Sequence, residues 1–226
     1  MNPNTETSSM LCVYAVCPRL RVRLDLTGVA GEPLRIIAVE GLAAVVGEVV
    51  RAPRASIAAF RRHDAVVRAL AGKLPAVLPV RFGNCLGGVE ELRLALESRS
   101  PPLRAALRSV RGRVQMTLRG VDNGCAPPSR PIASTCDSSG RAYLQARTLA
   151  AAREREAHSL LPLLPAVSQW VRAEKVERRA GIASVHHLIP RGCVAAYARA
   201  MHRTAEAAGV RMTLTGPFPP YAFGRW

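Results

Sequence analysis

The side chains of this 226-residue chain that could do chemistry are five histidines, six cysteines and a thin scatter of carboxylates. A hydrolase would need a nucleophile, a base and an orienting group, and a metal site would need ligands that converge on one point. His63 stands three residues after Phe60 and four before Val67. On a helix it falls on the apolar face, as a satisfied histidine at a core edge does. His186 and His187 are adjacent, and neighbours on a strand point to opposite faces, so the two do not readily chelate one metal together. His202 has no ligand-type residue four positions on. The patterns HExxH, GxSxG, GxxxxGK[ST] and GxGxxG are absent from the sequence. Glu90/Glu91 and Glu154/Glu156 read as solvated helix faces rather than acid/base pairs. Residue types and spacing therefore give no affirmative case for an enzyme, and neither a metal nor any other cofactor is expected.

The cysteines are Cys12, Cys17, Cys85, Cys125, Cys136 and Cys193, and none is spaced as CxxC. The opening residues MNPNTETSSM lack the basic and apolar regions of a secretory signal, so a reducing, cytoplasmic setting is the expectation. Buried free thiols follow from that setting, although Cys125 and Cys136 share a loop and could meet. No apolar run approaches the roughly 20 residues that span a bilayer.

Charge offers a different chemistry. Thirty-two basic residues against 16 acidic give +16, and all of the basic ones except Lys73 and Lys175 are arginine. Guanidinium groups bind phosphate bidentately. Yet these arginines are spread along the chain in blocks no longer than two, and aromatics that could stack on bases are only 4% of residues. An Arg-rich nucleic-acid or anionic-surface binding module is the alternative reading that this charge keeps open.

The elements that must carry these residues follow from periodicity. Leu11 to Cys17 is an apolar run of strand length. LRIIAVE and LAAVVGEV read as two strands turning tightly at Gly41. From Pro53 the pattern becomes helical, with Ile57, Phe60, Val67, Leu70 and Leu74 on one face. A short strand, AVLPV, leads into RFGNCLGG. Val89–Glu97 is helical, and Pro101-Pro102 start a further helix from Leu103 to Val110. RVQMTLRG alternates as a half-buried strand. Residues 120 to 140 read as a loop, and GRAYLQARTLAAAREREAHSLL as a long helix. VRAEKVERR and IASVHHLIP form a hairpin about Ala180-Gly181. A helix from Pro190 to Gly209 and the strand VRMTLT complete the order β-α-β-β-α-β, the split arrangement of ferredoxin-like domains. The expected fold is α+β with two domains. Residues 1–100 form a looser sheet-and-helix domain, and residues 101–226 a ferredoxin-like domain with a Pro/aromatic tail.

That tail, LTGPFPPYAFGRW, holds three prolines and four of the ten aromatics in its last eleven positions. Pro217 to Pro220 matches PxxP, the ligand pattern of aromatic grooves. The competing reading is an internal clasp. Prolines hold an extended path at little entropic cost and deliver Phe218, Tyr221 and Phe223 to the body of the protein, with Phe218 and Tyr221 largely buried and Trp226 of less account.

LCVYAVC, VEGLAAVVGEV, the helix carrying His63, LPVRFGNCL, GRAYLQAR, HHLIPRGCVAAYARAM and VRMTLTGPFPPYAF together resemble the gas vesicle accessory proteins of the GvpL/GvpF family. They occur in the family's order from residue 11 to residue 223, and PVRFG with LTGPxPPYxF is the most specific pair. The resemblance implies two α+β domains and a non-enzymatic protein that contacts the hydrophobic shell protein and other gas vesicle accessory proteins. Its implied role is nucleation or assembly, in the gas vesicle and in the cytoplasm beforehand, without specific nucleic acid or membrane. It also marks His63, Pro79, Arg81, Phe82, Gly83, Gly216, Pro217, Phe218, Pro219, Pro220, Tyr221 and Phe223 as structural or partner-contact positions.

Overall fold

A computed structural model describes residues 9–19, 24–120, 160–179 and 182–224. They form two compact units. One holds the chain up to Val114 and again from Phe218 onward, and the other holds Gln115–Pro217.

The first unit is an antiparallel sheet covered by helices. Its strands are β1 (Met10–Pro18), β2 (Leu34–Val39), β3 (Leu42–Val49), β4 (Leu78–Pro79) and β5 (Cys85–Leu86). The order is β2-β3-β1-β4, with β5 also pairing with β1. β1 is central and buried from Leu11 to Cys17, which explains its uninterrupted apolar run. The β2–β3 turn is two residues long, Glu40 and Gly41, at φ of 44° and 82°. Both values are positive, as the tight hairpin turn matching strand twist requires. β1 carries a bulge at Tyr14, where the register with β3 slips.

Helix α1 (Ile57–Lys73) starts later than the proline suggests: the Ser56 hydroxyl accepts the Ala59 amide at 3.1 Å and caps it. Its inward stripe is Ala59, His63, Val66, Val67 and Leu70. Small Ala59 takes the inward place in the first turn. Ile57 and Phe60, expected on the buried face, are instead 72% and 50% exposed. Helices α2 (Val89–Ser98) and α3 (Ser100–Val110) follow, the latter with its prolines in the first turn, where their missing amides cost nothing.

The cysteine expectation is overturned in one place. Cys12 of β1 and Cys85 of β5 are register partners on antiparallel strands and form a disulfide, so they are not free thiols. Seventy-three residues separate them, and only the pairing of β5 with β1 brings them together. Cys17 is free, and burial pushes its thiol pKa up to about 11. Cys125 and Cys136 lie outside the described residues, as do His158, Trp226 and most of the sequence read as the long helix.

The second unit contains β6 (Arg113–Gly120), β7 (Ala173–Arg179), β8 (Ile182–Pro190), α4 (Val194–Ala207) and β9 (Met212–Phe218), with β6 entering it and β9 leaving it. The strand order β7-β8-β6-β9 is the ferredoxin-like order. β8 is central, as expected, and buried on both faces from Ser184 to Ile189, although Ser184, His186 and His187 make it less apolar than its run suggests. β6 is buried on both faces, Gln115 and Thr117 included, rather than alternating. Its polar face is satisfied by His186 Nδ1, 3.0 Å from the Thr117 hydroxyl and 3.2 Å from the Gln115 amide nitrogen. Gly209, at φ 63°, ends α4, with the Gly209 and Val210 amides donating back to Glu206 and Ala205.

Candidate functional site

In the first unit the outer face of α1 meets two segments singled out in the sequence. Phe60, Asp64 and Arg68 follow one another at four-residue steps and so form one ridge. Each touches something different. The Phe60 ring meets Phe82 edge-on at 4.8 Å between centroids. Asp64 Oδ1 accepts the Tyr221 hydroxyl at 2.7 Å, and the Arg68 guanidinium lies 4.9 Å from the centre of the Phe218 ring. Asp64 also pairs with Arg68, so the polar middle of the ridge is internally satisfied.

Phe82 is set by the turn after β4. Arg81 is exposed, and its carbonyl accepts from the Asn84 backbone and side chain. Gly83, at φ 88°, supplies the positive dihedral that the turn needs. Pro79 is buried in β4 opposite Ala15. Inward of Phe82, His63 donates from Nε2 to the Val80 carbonyl at 2.9 Å, with the tautomer following from the acceptor, and stacks on Tyr14 at 5.1 Å. Burial holds its pKa below the ordinary imidazole value, outweighing the carbonyl's opposite pull.

Gly216, whose φ is 131°, stands within β9, two residues before the strand ends at Phe218 and the tail begins. A Cβ there would stand 2.8 Å from the Gln115 carbonyl oxygen. Pro217 follows across a cis peptide and is exposed. Pro219, Pro220 and Ala222 are the buried residues, whereas Phe218 is half-buried and Tyr221 is 38% exposed. The expected burial of both aromatics is therefore corrected: the segment turns at Pro219–Pro220, with Phe223 and Gly224 amides donating to the Pro220 carbonyl, and this seats the prolines inward. Phe223 is half-buried, and Gly224 packs on Leu78. Desolvation of the Tyr221 hydroxyl, with the Asp64 carboxylate beside it, raises the phenol pKa.

Two residues of this neighbourhood, Tyr14 and Glu32, are not singled out as site residues by the sequence reading. Tyr14 at the bulge donates its hydroxyl to Glu32 Oε1 at 2.6 Å and accepts from the Val29 amide at 2.7 Å. Glu32 Oε2 accepts the Ala30 amide at 2.8 Å. Gly28 and Gly47 make room for this buried carboxylate, since an added Cβ at either would fall within 2.4 Å of it. Burial and the carboxylate push the Tyr14 phenol above its usual range.

In the second unit His186 and His187 point to opposite faces. His187 is held between the Glu174 carboxylate, 2.9 Å from Nε2, and the Tyr197 hydroxyl, 2.7 Å from Nδ1. His187 and Tyr197 are wholly buried, whereas Glu174 is partly exposed. Among the described residues no group of three or more His, Cys, Asp or Glu side chains is placed to hold a metal ion. None of the described helices is long and apolar enough to cross a membrane.

The fold and these two segments define a class whose members are known. Residues 10–225 match the family model of the gas vesicle synthesis proteins GvpL/GvpF. The chain is 30% identical over 228 residues to gas vesicle protein L of Streptomyces sp. (strain CB03234), covering 87% of this chain and 85% of that one. Its fold is similar to crystal structures of GvpF from Anabaena sp. PCC7120 and from Microcystis aeruginosa. Each has a TM-score of 0.73 at 14% identity, covering 97% and 96% of this chain respectively and 99% of the other. The chain belongs to the GvpL/GvpF family of gas vesicle synthesis proteins.

Proposed function

We propose that this protein is a non-enzymatic accessory or minor structural component that binds the hydrophobic shell protein of the gas vesicle and supports nucleation or assembly. It works alongside other accessory proteins, passing from the cytoplasm to the vesicle. The observation that carries this reading is the half-exposed apolar surface of Ile57 and Phe60 on α1 with Phe82 and Tyr221 beside it, in a chain of this family. Exposed apolar side chains grouped on and beside one rigid helix are a means of holding an apolar partner, and aromatic residues are the usual anchors of interfaces. The family-motif positions divide accordingly. His63, Pro79, Gly83, Gly216, Pro219 and Pro220 support the ridge, while Phe82, Phe218 and Tyr221 present it.

Co-purification with the shell protein tests this. Capture should survive salt, because burial of apolar surface is not screened, and Phe60→Glu should abolish it with the melting temperature unchanged. Loss of capture at physiological salt, with RNA retained, would hand the function to the anionic-ligand alternative.

A further inference from the structure

Away from the aromatic ridge, α3 carries a second kind of surface. Its buried stripe is Ser100, Leu103, Leu107 and Val110, its exposed stripe holds Arg104 and Arg108, and the exposed Arg111 follows directly after its last turn. These three guanidinium groups rim a pocket of about 240 Å³ floored by Leu42, Ala76 and Leu107 and walled by Pro18 and Gly41. Arg104 is pinned over it, donating from Nη2 to the Glu40 carbonyl in the tight β2–β3 turn. Among the described residues no carboxylate lies within ion-pair distance of any of the three, and Glu40, the acid next to the pocket in sequence, turns its carbonyl rather than its carboxylate to Arg104. Uncompensated charge thus surrounds an aliphatic floor.

Size and chemistry narrow the ligand. The pocket is smaller than the roughly 300–1,000 Å³ that encloses a drug-sized molecule. It contains no aromatic side chain on which a base could stack, which counts against single-stranded nucleic acid. From Arg104 to Arg111 the rim runs about 10 Å along the helix, the span of two turns of a partner helix. One aliphatic side chain fills the floor, and carboxylates on either side meet the guanidinium forks.

We infer that this arginine-rimmed pocket docks an acidic amphipathic segment of a partner protein, a charge-driven contact distinct from the apolar ridge and independent of what that ridge binds. The test uses the full chain and a fluorescein-labelled helical peptide of about 14 residues, with leucine at its centre and glutamates spaced by three and four. A glutamine version of the peptide and a 12-nucleotide single-stranded RNA complete the set. In anisotropy titrations the glutamate peptide should bind, weaken as salt rises, and lose about 30-fold in affinity in the double variant Arg108→Glu/Arg111→Glu. Arg51→Glu/Arg54→Glu makes the same change of net charge elsewhere on the first unit and should cost less than about 3-fold. Arg108→Lys keeps the charge but not the fork and should fall between the two. Equal losses in both double variants would reduce the effect to net charge and overturn the assignment. So would equal binding of the glutamine peptide, or RNA that binds more tightly and is lost with the same variant.

Discussion

Gly216 is a position where a single methyl group decides whether the tail can form. Its φ of 131° is open only to glycine at low cost, and the Gln115 carbonyl oxygen and Met116 sulfur leave a Cβ less than 3 Å of room. Gly216→Ala should therefore lose about 2–4 kcal/mol in urea denaturation of the full chain, from strain and overpacking together. A loss below 1 kcal/mol would mean that the backbone relaxes there. Tyr14 makes the opposite kind of demand, on hydrogen bonding rather than space. Tyr14→Phe leaves the buried Glu32 oxygen and Val29 amide without their partner, a loss of about 1–3 kcal/mol in the same assay. Retention of wild-type stability would show that the pair finds other partners or water. Glycine and tyrosine identities are plain in the sequence. That Gly28 and Gly47 stand on either side of one carboxylate is not, because the residues meet only after β1, β3 and the intervening loop have assembled.

Among the elements, strands and hairpins were legible where periodicity alone decides, and phase was lost where one small residue shifts it. β1, the Glu40-Gly41 hairpin and α3 follow directly from apolar runs, a glycine after an acidic residue, and paired prolines. In α1 the strongest hydrophobes of the first turn, Ile57 and Phe60, counted as core by helical period, but Ala59 occupies the inward place. The Cys12–Cys85 bond was illegible for a related reason: it depends on a two-residue strand that no pattern marks. Closing a 73-residue loop should contribute about 4 kcal/mol through the unfolded chain. Incubation with a dithiol reductant should then lower the melting temperature of the wild type but leave a Cys12→Ala/Cys85→Ala variant unchanged. Identical responses of the two would remove the bond from the account of stability.

At the scale of the whole molecule, the ferredoxin-like strand order of the second unit was readable from element order, since few topologies satisfy β-α-β-β-α-β. The membership of the tail in the first unit was not readable, because it is a fact of three-dimensional packing. One property belongs to both units at once. His63 in the first, and His186 and His187 in the second, all have pKa values lowered, with burial the leading cause in each. Glu174 pulls His187 the other way, as Glu177 does His186, but both carboxylates are partly in water and do not prevail. An unfolded histidine titrates near about 6.5. Above that pH both states carry neutral imidazoles, and stability does not depend on them. Below it the unfolded chain takes up protons that the three buried rings refuse, so the folded state loses ground as pH falls until each ring reaches its own lowered value. Rising positive charge on a chain already at +16 acts in the same direction, through repulsion in the compact state. The two contributions separate by salt, because about 1 M salt shrinks the screening length to roughly 3 Å and mutes repulsion between surface charges while leaving buried rings unaffected. The melting temperature should hold steady from pH 8 to 7 and fall from pH 6.5 to 5, and most of that fall should persist at high salt. A melting temperature that is flat over this range, or that falls only at low salt, would mean the buried histidines take up protons as readily folded as unfolded.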